Sequence, residues 1–150
     1  MANRYWVGGT GNWDATAGSK WSTTSGGAGG SAAPTAADDV YIDLGSGSVT
    51  VTVPASTTVV CRSLNFVDGT GGAFTGTFVM AATTSIITIG DGTAGAGNNA
   101  LKIASGMTWT NTAVGTINFI STSATQQTIT TAGKTMPSMV INGVGSSYVL

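Results

Sequence analysis

From residue 40 onward, apolar and polar residues alternate in short runs along the chain. Side chains on a β-strand point to opposite faces in turn, so this period of two predicts strands with one buried and one solvent-facing side. The runs are VYID, VTVTV, SLNF, TFVM, ITI, LKI, MTWT, INF, TIT, MVI and YVL, beginning at residues 40, 49, 63, 77, 87, 101, 107, 117, 128, 139 and 148. The pattern predicts an all-β chain.

The apolar positions of these runs form the predicted core. In LNF, LKI and INF the central residues Asn65, Lys102 and Asn118 are expected to face water, while their neighbours face inward. The core residues expected on this basis are Val49, Val51, Val53, Leu64, Phe66, Phe78, Ile87, Ile89, Leu101, Ile103, Ile117, Phe119 and Ile141.

Two architectures are compatible with many short strands. A right-handed parallel β-solenoid would stack coils of roughly 20 to 30 residues around an internal apolar column. An antiparallel sandwich or jelly roll is the alternative, because Asp-Gly at 68 and 91 and Asn-Gly at 142 are strong hairpin dipeptides. The long Gly-rich loops after these dipeptides and the recurrence of threonine on successive strands favour the solenoid.

Composition modifies this picture in two ways. Only 7% of the 150 residues are charged while 23 are glycine, so the surface is expected to consist of hydroxyl and backbone groups. The length suits one domain, in which residues 1–39 form a Trp/Gly-rich N-terminal cap and residues 40–150 the solenoid coils. The two parts are expected to be continuous.

Charge and apolar content exclude several function classes. The five basic residues are scattered, so no nucleic-acid-binding patch is expected. No run of about 18 apolar residues and no signal peptide is present, so we expect no membrane association and synthesis in the cytoplasm. The single Cys61 lies in an apolar run and is expected to be a buried core residue.

Candidate catalytic chemistry is sparse. The chain has no histidine, which removes the commonest general base and most zinc sites, and its only carboxylate side chains are those of six aspartates, Asp14, Asp38, Asp39, Asp43, Asp68 and Asp91. The ADD run at residues 37–39 is interpreted as turn chemistry, with a calcium site using Asp38 or Asp39 and a catalytic dyad as alternatives. GDGTAGAGNN lacks the lysine of a phosphate-binding loop. We therefore expect a non-enzymatic protein without cofactor or metal.

Three of the four tryptophans, Trp6, Trp13 and Trp21, lie in the N-terminal segment. One interpretation is a lid over the first coil, whose apolar end and strand edges would otherwise be open. The other is a platform of exposed rings that stack on sugars, which would make the chain a receptor- or glycan-binding adhesin module. Asn12 and Asp14 are the only polar groups beside it that suit a sugar site.

The motif W-x-G-G-x-G-x-W followed by P-T-x-x-D-D-V-x-I-D resembles the opening of repetitive β-helical phage virion and tail-fibre-like proteins. The later stretches CRSLNF, GMTWT and GTINFISTSA look like the repeats that follow this opening. The resemblance implies a virion component, such as a tail fibre, spike or capsid-surface protein. The resemblance is also compatible with a host-surface glycan as a partner.

The chain ends in GSSYVL, within a predicted strand. A solenoid needs a polar cap on its terminal coil, and none is evident here. This end is expected either to continue into the next coil of a longer chain or to be covered by another subunit. In both cases Tyr148, Val149 and Leu150 are predicted to form an assembly contact with another copy of the chain or with another virion protein.

Overall fold

The structure is a computed structural model that describes residues 2–13, 19–68, 70–82, 84–111 and 115–150. It is all-β, as predicted, and its only helical segments in these ranges are two short 3₁₀ turns, Leu44–Ser46 and Ala96–Asn98. The strands are β1 Asn3–Trp6, β2 Gly11–Asn12, β3 Trp21–Ser22, β4 Asp39–Tyr41, β5 Thr50–Val53, β6 Thr58–Cys61, β7 Ser63–Asn65, β8 Val67–Asp68, β9 Gly72–Ala73, β10 Thr77–Met80, β11 Ile86–Ile89, β12 Asn99–Lys102, β13 Thr108–Asn111, β14 Thr116–Phe119, β15 Gln127–Thr130, β16 Ser138–Ile141 and β17 Tyr148–Val149.

The strands form three large sheets and one small one. Sheet A has the order β17-β15-β12-β7-β4-β1-β3, sheet B the order β13-β10-β5-β2, and sheet C the order β16-β14-β11-β6. Strands β8 and β9 pair with each other only. In the part of the chain that is described, every pairing is parallel except β1 with β3 and β8 with β9.

Successive strands visit the three sheets in a fixed order. Strands β5, β6 and β7 lie in sheets B, C and A, and the same order recurs for β10, β11 and β12 and for β13, β14 and β15. The last passage contains only β16 in sheet C and β17 in sheet A, because residues 131–137 form no strand. Parallel neighbours are thus separated by one whole passage through the other sheets.

Only one of the three predicted hairpins forms. Asp68 begins the turn between the antiparallel strands β8 and β9, whereas Asp-Gly at 91 and Asn-Gly at 142 lead to strands of other sheets. Close stacking explains Gly143 and Gly90, the residue before Asp91: a Cβ on Gly90 would lie 2.4 Å from the amide nitrogen of Ser121, and one on Gly143 would lie 1.9 Å from the Ser121 carbonyl oxygen. They permit successive turns to lie against each other.

The core lies between the sheets and follows the predicted alternation. Eleven expected core residues are fully or almost fully buried. Val49 is half-buried against the core, while Ile141, at 57% exposure, was wrongly assigned to it. Ile141 lies on β16, the edge strand of sheet C, where no further strand covers its side chain. Cys61 is buried as expected, and burial raises the pKa of its thiol.

The outer face of sheet A is buried near the N-terminal segment, which the alternation did not predict. Asn65 was expected to face water, yet it is 2% exposed and its side-chain amide donates to Ser63 Oγ (2.8 Å). Its neighbour in register, Tyr41, stacks on Tyr5 with ring centroids 4.8 Å apart, and burial raises the pKa of Tyr41 to about 12. Lys102 and Asn118 are partly exposed.

Candidate functional site

The N-terminal segment places its three tryptophans in one buried cluster. Trp6 ends β1, Trp13 follows β2 and Trp21 begins β3, and none is more than 2% exposed. Trp21 makes edge contacts with both others, at centroid distances of 5.2 Å to Trp6 and 5.5 Å to Trp13. Trp13 also approaches Phe78 of β10 at 6.5 Å. The cluster is therefore continuous with the core of the sheets.

Backbone pairing fixes this segment to two of the three sheets. Strand β1 continues sheet A in parallel beside β4, and β3 then ends that sheet as an antiparallel strand. Strand β2 continues sheet B beside β5. Sheet C begins at β6, which has no neighbour on this side among the described strands. The predicted boundary between residues 39 and 40 falls inside β4, so cap and coils share a strand.

Burial bears directly on the sugar-platform interpretation. A stacking platform needs an exposed ring face, and Trp6, Trp13 and Trp21 have none. The indole nitrogen of Trp6 instead donates to the carbonyl oxygen of Gly9 (2.8 Å) within the same segment. The exposed-tryptophan platform was thus a wrong assignment for these residues. Asp14 lies outside the described residues.

Asp38 follows the turn chemistry predicted for the ADD run. Its carboxylate accepts hydrogen bonds from the Thr35 amide (3.0 Å), the Thr35 hydroxyl (2.8 Å) and the Ala2 amide (2.9 Å). Burial opposes ionisation, but the hydrogen bonds from Thr35 and Ala2 and the nearby Arg4 outweigh it and lower the pKa of Asp38. Both carboxylate oxygens of Asp38 are therefore hydrogen-bonded within the protein.

Asp39 forms an ion pair that the sequence did not indicate. It forms a buried bidentate ion pair with Arg62, in which Nε lies 3.0 Å from Oδ1 and Nη2 contacts Oδ2. The Ser63 hydroxyl (2.6 Å) and the Ala96 amide (3.2 Å) also donate to Oδ1. The hydrogen bond to Asp39 raises the pKa of Arg62. No sequence signal links partners so far apart in the chain.

The other described carboxylates are dispersed. Asp68 accepts from Thr70 Oγ1 (2.7 Å) and Asp91 from the Thr93 amide (2.7 Å), both within their own turns. Asp43 is fully buried, and its amide donates to Ser46 Oγ (3.2 Å). Across the described ranges, no three metal-binding side chains come together and no pocket is found. The same residues include no helix long and apolar enough to cross a membrane.

Residues 139–150 carry most of the exposed large apolar side chains of the described residues. Tyr148 is half-buried, with its ring 5.5 Å from that of Phe119. Val149 and Leu150 are exposed by 41% and 85%. The same region exposes Met139, Ile141 and Val144. Of the three predicted contact residues, two are thus open to solvent and one packs mainly against its own chain.

Comparison with protein-family models, curated proteins and solved structures finds no match to this chain. Its function is therefore argued from the residues described above.

Proposed function

We propose that the chain is a right-handed parallel β-solenoid with an N-terminal tryptophan cap, and that it serves as a non-enzymatic structural component of a phage virion. It acts through protein–protein contacts at its C-terminal end. The observation that carries the proposal is the concentration of exposed apolar side chains on residues 139–150, beside strand edges that no described strand covers.

The order of the strands supports the solenoid. Each passage through sheets B, C and A forms one coil, and each strand pairs in parallel with its counterparts in the adjoining coils. Right-handedness is the expected hand because parallel crossover connections are right-handed in nearly all proteins. The buried tryptophans then close the core at the first coil.

The chemistry of the C-terminal edge supports assembly. Strand β16 leaves a row of backbone donors and acceptors without a neighbour on one side, and Ile141 and Val144 are 57% and 84% exposed beside it. An uncovered parallel edge with apolar side chains is a template for another strand. The proposal that the chain is a virion component rests on the resemblance of its tryptophan motif to that of phage tail-fibre-like proteins.

A charge placed at this edge tests the assembly contact. We expect the chain to associate in a concentration-dependent way by light scattering coupled to size exclusion, and Ile141→Lys to make it monomeric. Leu44→Lys is the matched control, since Leu44 is equally exposed (55%) but lies on the 3₁₀ turn after β4. A wild-type chain that stays monomeric at high concentration would refute the contact.

The virion assignment has its own test. Antibodies against the chain should decorate purified phage particles that encode it when examined by electron microscopy with gold labelling. Particles that carry no label, while the chain accumulates in the lysate, would contradict the assignment and leave the assembly contact standing.

A further inference from the structure

The outward face of sheet B carries β-branched side chains in register across its coils. Thr50, Thr77 and Thr108 lie side by side on β5, β10 and β13. Two positions further along the same strands lie Thr52, Val79 and Thr110. The residues between them, such as Val51 and Phe78, are fully buried, so these two columns face outward.

Neighbouring residues extend the pattern. The hydroxyls of Ser48 and Thr75, two positions before the first column, lie 2.9 Å apart across adjacent coils. On the cap side, the Thr10 hydroxyl accepts a hydrogen bond from the Thr50 amide (3.1 Å), and Asn12 lies beside Thr52 in register. We call this surface the hydroxyl grid; it comprises Thr10, Asn12, Ser48, Thr50, Thr52, Thr75, Thr77, Val79, Thr108 and Thr110.

The hydroxyl grid repeats in two dimensions. Adjacent strands of a sheet lie about 4.7–4.9 Å apart, and every second residue along a strand advances by roughly 6.6 Å. Threonine and valine are restricted at χ1, so their methyl and hydroxyl groups are held at fixed positions. Val79 is the only apolar residue of the hydroxyl grid. Its side chain has the same branched shape as threonine, with a methyl group in place of the hydroxyl. The result is a rigid, regular array.

The lack of charged residues on this face restricts the kind of partner that it can bind. Strands β2, β5, β10 and β13 contain no Asp, Glu, Lys or Arg. Lys20 borders the array, where its Nζ donates to the Asn12 carbonyl oxygen (2.9 Å). Nucleic acids and anionic lipid surfaces are bound through clusters of basic residues, which this face lacks. A neutral array of this kind complements a neutral partner whose own surface repeats.

We propose that the hydroxyl grid binds ice. A growing ice crystal presents an uncharged plane of water oxygens in a regular lattice, so threonine hydroxyls can occupy lattice positions while the methyl groups order the water between them. The parallel register of three coils supplies several equivalent contacts to such a crystal at once. This inference is independent of the virion assignment.

The test follows the labelled, full-length chain during slow growth of polycrystalline ice. We expect the wild type to enter the ice and to shape single crystals, and we expect Thr77→Tyr, at the centre of the hydroxyl grid, to lose both effects. Thr88→Tyr is the matched control, because Thr88 holds the equivalent central outward position on sheet C between Val60 and Asn118. Thermal melting verifies that each variant is folded.

Thr108→Lys serves as a second variant, because Thr108 is exposed and tolerates a longer side chain. It should also be excluded from ice. The proposal is overturned if the wild type is excluded from ice, if Thr88→Tyr is as defective as Thr77→Tyr, or if both grid variants retain ice binding. A change of oligomeric state in the grid variants without loss of ice binding would assign this face to a protein partner instead.

Discussion

At the scale of single residues, the two adjacent aspartates of the ADD run have different roles. Turn chemistry was predicted for both and is confirmed for Asp38, which is held by Thr35 three residues away. Asp39 instead pairs with Arg62, a contact that depends on β4 and β7 lying side by side. Local hydrogen bonds follow from local sequence, whereas this ion pair follows from strand register, which the sequence does not encode locally.

Asp39→Asn should destabilise the chain strongly. It leaves the Arg62 guanidinium buried without its counter-charge, and breaking a buried pair in this way typically costs about 3–5 kcal/mol. Urea unfolding followed by tryptophan fluorescence measures the change. The double variant Asp39→Leu with Arg62→Met removes both charges and should be markedly more stable than Asp39→Asn. Equal stability of Asp39→Asn and the wild type would show that the pair contributes little.

Asp38 should contribute to acid sensitivity. Its folded-state pKa is lowered, so its ionised form stabilises the fold above the unfolded value of 3.8, and this contribution is lost as the pH falls below that value through the folded pKa. Asp38→Asn should therefore flatten the fall in stability in this acidic range. Chemical denaturation at a series of pH values tests it, and an unchanged slope would contradict the assignment.

At the scale of elements, each of the eleven alternating runs corresponds to a strand from β4 onward, but alternation missed β6, β8 and β9. The run TTVVCRSLNF reads as one apolar segment, yet the chain turns at Arg62 from sheet C into sheet A. The strands β1, β2 and β3 were also missed, because NRYW, GN and WS do not extend an alternation of apolar and polar residues and are defined by their partners. Asn65 was also misplaced, because alternation does not show that its buried side-chain amide donates to Ser63 Oγ and to the Val40 carbonyl oxygen.

Truncating a tryptophan of the buried N-terminal cluster should cost as much as truncating a core residue. Trp13 is 2% exposed and contacts both Trp21 and Phe78, so Trp13→Ala is expected to lower the free energy of unfolding by about 3–5 kcal/mol. Thermal or urea unfolding followed by circular dichroism measures it. Leu44→Ala, at a site 55% exposed, should change stability little. A Trp13→Ala protein with unaltered stability would mean that the packing of Trp13 is dispensable for the fold.

At the scale of the whole molecule, the all-β class and the preference for parallel pairing were predictable, but the partner of each strand was not. The hairpin dipeptides at 91 and 142 suggested antiparallel neighbours, but neither forms a hairpin, and Gly143 instead allows close contact between turns, since a Cβ there would lie 1.9 Å from the Ser121 carbonyl oxygen. An Asp-Gly or Asn-Gly dipeptide can form either a hairpin or a turn packed against neighbouring turns. Which of the two forms depends on the segments that pack against the dipeptide. The Gly-rich loops and recurrent threonines, which depend on no single turn, were the better guide to parallel pairing.

Protection of backbone amides from exchange should differ between an interior strand and the edge strand β16 of sheet C. Strand β11 is paired on both sides, by β6 and β14, whereas β16 is paired only by β14 among the described strands. Native-state hydrogen exchange should therefore be slowest for Ile86–Ile89 and fastest among the sheet C strands for Ser138–Ile141. Mass spectrometry of peptides from dilute protein measures this. Uniform protection across sheet C would indicate that the edge is covered.

The parallel register has a consequence for the speed at which the chain folds. Val51, Phe78 and Trp109 are neighbours in sheet B, yet each is separated from the next along the chain by a full passage through sheets C and A. The entropy of closing each such loop is lost before any pairing compensates for it, which places folds of this kind among the slow folders, with times of milliseconds to seconds. The first passage through the three sheets is the costly step, because no completed layer exists to receive it. Every later passage adds to a surface already in place, so the tryptophan cluster beside β5 and β10 is positioned to act as the nucleus on which the remaining strands pair.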